Sequence, residues 1–146
     1  MGRTREVQIT GLKELRAMSE KVAPKVAMRL ARNSVHKTAG QVRNAMRKRA
    51  PRDDGTLRKA IHTKRRRGTP DTVVSDVRIA HGNTVKRDAW YWHFIEFGTV
   101  KTAAKPFIRP TVDEFEQQIP GIFRDEFGKQ LERQLAKEAA RRGVKQ

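Results

Sequence analysis

The sequence WYWHFIEFGTVKTAAKPFIRP, residues Trp90–Pro110, is the stretch that decides the fold. It holds both tryptophans, the single tyrosine and three of the six phenylalanines of the chain. Aromatic side chains bury large areas when they leave water, so this concentration is typical of a core or an interface. Because Trp90–Phe97 is apolar on both faces, periodicity leaves open whether this segment is a strand or one to two helical turns.

The second half of the same stretch predicts a loop that ends in a short apolar segment framed by prolines. Gly98 interrupts the aromatic run, and the segment Pro106–Pro110, PFIRP, follows after a short basic loop. Proline fixes φ and limits disorder at both ends of the segment. The segment is therefore either a plug that docks into a partner or a lid that closes the core, and both interpretations remain open. We expect the loop to present a shaped surface to a partner.

Glu96 is a carboxylate within the apolar run. An isolated buried carboxylate is costly, so we expect Glu96 to be paired or hydrogen-bonded. With 33 basic residues in the chain, an Arg or Lys partner is the natural expectation. The alternative is a carboxylate exposed to solvent at the edge of the sheet, since glutamate is rarely fully buried.

The residues before this stretch predict helices, a hairpin and a short strand. A continuous stripe of small and apolar residues predicts a long helix over Lys25–Arg49, which Pro51 ends. Alternating residues on either side of a Gly-Thr-Pro-Asp turn predict a β-hairpin. The hairpin covers about residues 58–67 and 72–81, and a short strand at Val7–Thr10 and a short helix at Leu12–Val22 precede the long helix.

The residues after Pro110 predict a C-terminal helix. Thr111–Glu114 has the pattern of a capping box, and apolar residues at helical spacing follow as far as Leu135. We expect Pro120-Gly121 to kink or split this helix.

This order of elements predicts an α+β fold, with a small antiparallel β-sheet packed against a long α-helix and a C-terminal helix. At 146 residues the chain fits one domain. We expect residues 1–138 to form that domain and residues 139–146 to be a basic tail that frays.

Composition limits the possible partners and surroundings. The chain has no cysteine, so a disulfide and a thiolate metal site are excluded. It lacks an apolar run long enough for a transmembrane helix and the pattern of a signal peptide, so we expect no contact with a membrane. The net charge of +17 favours an anionic partner. Nucleic acid is the first candidate and an acidic protein the second, and a merely solvated basic surface is the alternative.

The densest basic run is Lys64, Arg65, Arg66 and Arg67. From Gln41 to Arg67 the chain has eleven Lys or Arg and only two Asp. Such a run predicts contact with phosphate, with an affinity that falls with salt, or with an acidic neighbouring protein. The alternative is a solvated hairpin whose charge protects an exposed edge. No aromatic residue is interleaved to stack on bases, which favours the protein neighbour slightly.

Nothing in the sequence predicts catalysis. No two of the four histidines have a short metal-ligand spacing, and the HEXXH, P-loop and G-x-S-x-G patterns are absent. A real metal site needs a converging set of ligands. We therefore expect no enzyme activity, no metal and no cofactor.

Three segments carry a resemblance to a known family. They are Ile9–Leu15, then Ala50–Arg58 with the sequence APRDDGTLR, then Ile95–Thr99 followed by KPFIRP at Lys105–Pro110. Together and in this order they resemble the tail-completion and head-to-tail joining (neck) proteins of long-tailed bacteriophages. Members of that family are structural and form rings in the neck or at the tail end.

The resemblance implies a virion protein that is assembled in the host cytoplasm as a homo-oligomeric ring, with six subunits as one possible number. Its partners would be neighbouring neck or tail proteins, with contact to DNA as a further possibility. The resemblance also implies that Glu96 holds the loop after Gly98. We expect the interface residues to be Trp90, Trp92, Phe97, Gly98, Thr99, Lys101, Phe107 and Arg109. The alternative function is a free-standing basic nucleic-acid-binding protein.

Overall fold

The computed structural model describes residue 17 and residues 19–53, 55–69, 72–82 and 88–143. The predicted strand at Val7–Thr10 and most of the predicted helix at Leu12–Val22 lie outside the described residues. The elements are, in chain order, α1 (Pro24–Arg49), α2 (Thr56–Ala60), β1 (Ile61–Arg66), β2 (Val74–Ile79), α3 (Trp92–Phe97), α4 (Ile108–Glu116) and α5 (Ile119–Gly143).

Helix α1 confirms the predicted long helix to within one residue. Pro24 stands at its start, where the missing N–H is not needed and the fixed φ suits a helix. Its buried residues follow one another at every fourth position and are Leu30, Ser34, Thr38, Val42 and Met46. The two buried hydroxyls are satisfied within the helix, because Ser34 donates to the Leu30 carbonyl at 2.8 Å and Thr38 to the Ser34 carbonyl at 2.9 Å. Small residues on this stripe therefore bring neighbouring elements close without leaving unpaired polar groups.

The predicted hairpin is confirmed, although its first strand begins at Ile61 because residues 58–60 lie in α2. Strands β1 and β2 pair antiparallel, with Ile61 opposite Ile79 and Arg66 opposite Val74. Helix α1 packs on both strands. The Arg47 guanidinium of α1 donates from Nε to the Ile61 carbonyl at 2.9 Å, which ties the end of the helix to the first residue of the sheet.

The capping box predicted at Thr111–Glu114 is wrong. Helix α4 already begins at Ile108, and Thr111 is fully buried within it. The Thr111 hydroxyl donates to the Phe107 carbonyl at 2.6 Å, one turn earlier, and so does not cap the helix. The physical reason is that another part of the chain satisfies the first turn of α4, as shown below.

The predicted split of the C-terminal helix is confirmed. Helix α4 ends at Glu116, and α5 begins at Ile119 with Pro120 in its first turn. Helix α5 continues to Gly143, so residues 139–143 are helical. Two expectations stay predictions: that this basic end frays in solution, and that residues 1–138 form one domain.

The core has two parts, both built around α1. One lies between α1, the hairpin and α3, and its buried residues are Met46, Ala50, Leu57, Ala60, Ile61, Ala89 and Phe107. The other lies between α1 and α5, and its buried residues are Val22, Leu30, Phe123, Phe127 and Leu131. The fold is thus α+β, with a two-stranded antiparallel sheet on a long helix and a C-terminal helix. Within the described ranges, no helix has the length and apolar character needed to cross a bilayer.

Candidate functional site

The aromatic stretch folds as a helix and a sharply turned loop. The segment left open between strand and helix forms α3, which ends at Gly98. Gly98 has φ +76°, a conformation that residues with a Cβ rarely adopt. A Cβ here would also lie 2.8 Å from the Ala104 nitrogen and 2.9 Å from the Thr102 carbonyl oxygen. The loop can therefore fold back on the end of α3 only because this residue is glycine.

Hydrogen bonds within the loop hold its shape although its side chains are exposed. The Thr99 nitrogen donates to the Thr102 carbonyl at 2.9 Å, and the Thr102 nitrogen donates to the Thr99 hydroxyl at 3.0 Å. The Lys105 nitrogen donates to the Ile95 carbonyl of α3 at 2.8 Å. All residues from Thr99 to Pro106, including Lys101, are exposed. The loop is thus exposed to solvent, and these hydrogen bonds hold its shape.

Glu96 joins the end of α3 to the start of α4. It is only 1% exposed. Its carboxylate accepts hydrogen bonds from the backbone nitrogens of Phe107 at 2.8 Å, Ile108 at 2.9 Å and Arg109 at 3.0 Å. The N–H groups of the first helical turn have no partner within their own helix, and the helix dipole favours a negative charge there. Glu96 therefore caps α4 from a distant position in the chain.

Arg109 adds a second link between the same two ends. Its Nε lies 3.3 Å from Glu96 Oε1, and its Nη2 donates to the Glu96 carbonyl at 3.4 Å. The guanidinium also lies 5.2 Å from the centre of the Phe97 ring, within cation–π range. Burial alone would raise the pKa of Glu96, but the hydrogen bonds from Ile108, Arg109 and Phe107 lower it below its ordinary value. The carboxylate is thus held ionised.

Three aromatic residues, two in α3 and one in the turn before it, form an exposed apolar surface, which we call the aromatic face. Trp90 is 59% exposed, Phe94 49% and Phe97 62%. Phe94 and Phe97 are three residues apart in α3 and so lie on one side of the helix. The Trp90 and Phe94 rings meet edge to face with centroids 5.8 Å apart. Grouped exposed aromatic residues are typical of interaction sites, so the aromatic face is the candidate contact surface.

The structure separates the predicted interface residues into two groups. Trp90, Phe97, Thr99, Lys101 and Arg109 are exposed, and Gly98 shapes the loop between them. The other two belong to the interior.

Phe107 is 0% exposed and lies in the core at the sheet, so its side chain is enclosed in the single chain. Trp92 is partly buried against the same core and stacks on His93 at 4.4 Å. Its Nε1 is buried without a hydrogen-bond partner among the described residues.

Phe94 and the fully exposed Val100 were not among the predicted interface residues. The spacing of Phe94 from Trp90 would have identified it if the helix had been chosen over the strand.

The basic run does not form one patch. Lys64, Arg65, Arg66 and Arg67 are all exposed. Successive residues of a strand point to opposite faces, so Lys64 and Arg66 lie on one face of β1 and Arg65 on the other. Arg66 pairs with Asp76 across the hairpin at 3.7 Å, whereas Arg65 donates to the Asn33 side chain of α1 at 3.1 Å.

Two of the histidine side chains contact other groups of the fold. His36 Nδ1 lies 3.0 Å from the Ser75 hydroxyl, and His62 Nδ1 lies 2.9 Å from the Ala60 carbonyl. In the part of the chain that the structure describes, no group of three His, Asp or Glu side chains could hold a metal ion.

A comparison with known families gives one match. The family described as "Bacteriophage HK97-gp10, putative tail-component" matches residues 13–98, which is more than half of the chain. The match includes α1, the hairpin and α3 and ends at Gly98. Neither the curated proteins nor the solved structures include a match to this chain.

Proposed function

The chain belongs to the HK97-gp10-like family of bacteriophage tail components, and we propose that it is a ring-forming structural subunit at the neck or tail end of the virion. It acts without catalysis, and it assembles in the host cytoplasm. Its partners are further copies of itself and neighbouring neck or tail proteins.

The observation that carries this proposal is the aromatic face beside a fixed loop. Interface centres are enriched in aromatic residues and Arg, and Trp and Phe bury large areas on contact. Trp90, Phe94 and Phe97 are exposed in the single chain, and Arg109 lies at the edge of this group.

The loop supports the same function because it is ordered before any partner binds. Gly98 sets its entry, and Glu96 and Arg109 join its two ends. A surface that is already in its bound shape loses little conformational entropy on association. We infer that Glu96 acts as a loop-holding carboxylate for this reason.

A closed ring requires that one face of each subunit meets a different face of the next. We propose that the aromatic face and the loop form one of these two faces. Lys64 and Arg67 are exposed, with no ion-pair partner among the described residues, and they suit an acidic surface on a neighbouring tail protein.

Sedimentation velocity of the purified chain over a range of concentrations tests the ring. We expect a concentration-dependent shift from monomer to one closed oligomer, in the absence of DNA. A chain that stays monomeric at every concentration but binds DNA would instead support a free-standing nucleic-acid-binding protein.

A further inference from the structure

A polar groove lies between α1 and β1, away from the loop after Gly98. Its volume is about 400 Å³, and its lining includes His36, Gly40 and Arg43 of α1 and Thr63 of β1. Gly40 leaves the groove open at its centre, since a Cβ there would meet only the Arg43 guanidinium, at 4.0 Å. The lining residues other than Gly40 are of polar types.

Two arginines, Arg43 in the lining of the groove and Arg65 beside it, are held by neutral amides instead of carboxylates. Arg43 donates from Nε and Nη2 to the Asn44 side-chain oxygen, at 3.1 and 2.9 Å. Arg65 donates from Nη2 to the Asn33 side-chain oxygen at 3.1 Å. Neither has a carboxylate partner within the described ranges. Each guanidinium is thus oriented, keeps its full charge and has N–H donors left for a ligand.

Some other arginines of the described ranges differ in this respect. Arg66 and Arg78 both pair with Asp76, and Arg49 pairs with Glu114. The carboxylate that lines the groove, Glu126, is engaged by Lys37 at 3.4 Å. Arg43 and Arg65 therefore remain available to an anionic ligand, as these paired arginines do not.

His36 connects Arg65 to the groove, because His36 lines the groove and contacts Ser75, the cross-strand partner of Arg65. It lies between α1 and the hairpin, bonded to Ser75. Burial lowers its pKa, and the charges of Arg65 and then Arg43 lower it further. A neutral imidazole adds no charge of its own, so the arginines available here are Arg43 in the lining and Arg65 beside it.

We propose that this groove binds the phosphate groups of a nucleic-acid backbone. Arginine forks match phosphate oxygens with two parallel hydrogen bonds. Interfaces with nucleic acid are more polar and more positive than interfaces with protein, whose centres are apolar. The groove is polar and positive, whereas the aromatic face is apolar. Duplex DNA keeps its bases stacked inside, so a backbone site needs no aromatic side chain.

Binding of a labelled duplex DNA to the full chain tests this site. We compare the double variant R43Q/R65Q with K129Q/R133Q, which removes the same charge from exposed positions of α5. R43Q/R65Q should weaken binding about tenfold, since hydrogen bonds to charged groups are the strong ones. It should also reduce the slope of affinity against salt by about one unit for each lost phosphate contact. The control should change both much less.

Two further measurements separate a binding role from a structural one. R43K/R65K keeps the charge but loses the fork, so it should retain most of the salt slope while binding more weakly. The ring signals of His36 in NMR spectra should shift when DNA is added to the wild type and stay in place in R43Q/R65Q.

Three results would overturn the proposal. One is an equal loss of affinity in R43Q/R65Q and in K129Q/R133Q, which would mean that only net charge matters. Another is a His36 signal that DNA leaves unchanged. The third is tighter, Arg43- and Arg65-dependent binding of polyglutamate than of DNA, which would assign the groove to an acidic protein. None of these results depends on ring formation, so the tail-component role is tested separately.

Discussion

Replacing Glu96 by Gln should destabilise the protein strongly with almost no change in side-chain volume. The carboxylate uses Oε2 for the Phe107 and Ile108 nitrogens and Oε1 for Arg109. Gln has one oxygen, so its NH₂ group must face one of these sets of donors. The buried N–H groups of that set are left unsatisfied, and the remaining hydrogen bonds lose the negative charge.

The magnitude follows from these contacts. Hydrogen bonds to charged groups contribute about 1.5–3 kcal/mol and neutral ones about 0.5–1.5 kcal/mol. We expect E96Q to lower the free energy of unfolding by about 2–4 kcal/mol, most of it from the backbone donors, since the Arg109 side chain is 56% exposed and screened by water. The free energy of unfolding of a domain is only about 5–15 kcal/mol in total, so urea unfolding would show a clearly lower midpoint.

The control for this prediction lies on α4 itself. Glu114 pairs with Arg49 but is 45% exposed, so E114Q should cost less than about 1 kcal/mol.

The pH dependence gives a second test. The pKa of Glu96 is lower in the folded protein than its ordinary value of 4.5, so its stabilisation is complete above that pH and is lost as the pH falls through the folded pKa. The difference between wild type and E96Q should shrink below pH 4.5. Equal midpoints for E96Q and E114Q, or a difference that does not depend on pH, would refute the capping role.

Three other variants test separate parts of the structure. W90S/F94S should abolish the oligomer in sedimentation while changing the melting temperature little, because both side chains are exposed in the monomer. Gly98→Val should also abolish assembly and leave the monomer mostly folded, since its Cβ would collide with the Ala104 backbone and displace the loop. The pKa of His36 lies below 6.5 in the folded protein, so the unfolded chain binds the proton first and stability should fall as the pH drops through 6.5. H36Q should remove this part of the pH dependence in urea unfolding, and an unchanged profile would count against the surroundings described for His36.

The elements that local signals define were predictable. The stripe of α1, the proline before it and the proline after it all lie within one segment, so its bounds were predicted to within one residue. The hairpin followed from alternation and its turn, and the break before α5 followed from Pro120.

The cap of α4 could not be predicted because the residue that supplies it is distant in sequence. Thr111 fits a capping box locally, but Glu96, more than ten residues earlier, satisfies the first turn of α4 instead. The sequence indicated that Glu96 needs a partner, yet it gave no sign that this partner is mainly backbone. The burial of Phe107 likewise depends on the packing of α4 on α1, which periodicity does not contain.

The groove at Arg43 and Arg65 was missed for a different reason. The basic run was taken as one unit, although the period of two in a strand separates Arg65 from Lys64 and Arg66. That separation was available from the sequence. The closeness of Arg65 to His36 and Asn33 was not, because it depends on how α1 lies across the hairpin.

The central claim is that subunits assemble through the aromatic face. Hydroxyl-radical footprinting of the separated monomer and oligomer fractions measures this directly, since the exposed rings of Trp90, Phe94 and Phe97 react readily in the free chain. The account predicts that these three rings become protected in the oligomer, while exposed residues of α5 such as Arg133 react equally in both fractions. An oligomer in which all three rings remain as reactive as in the monomer would contradict it.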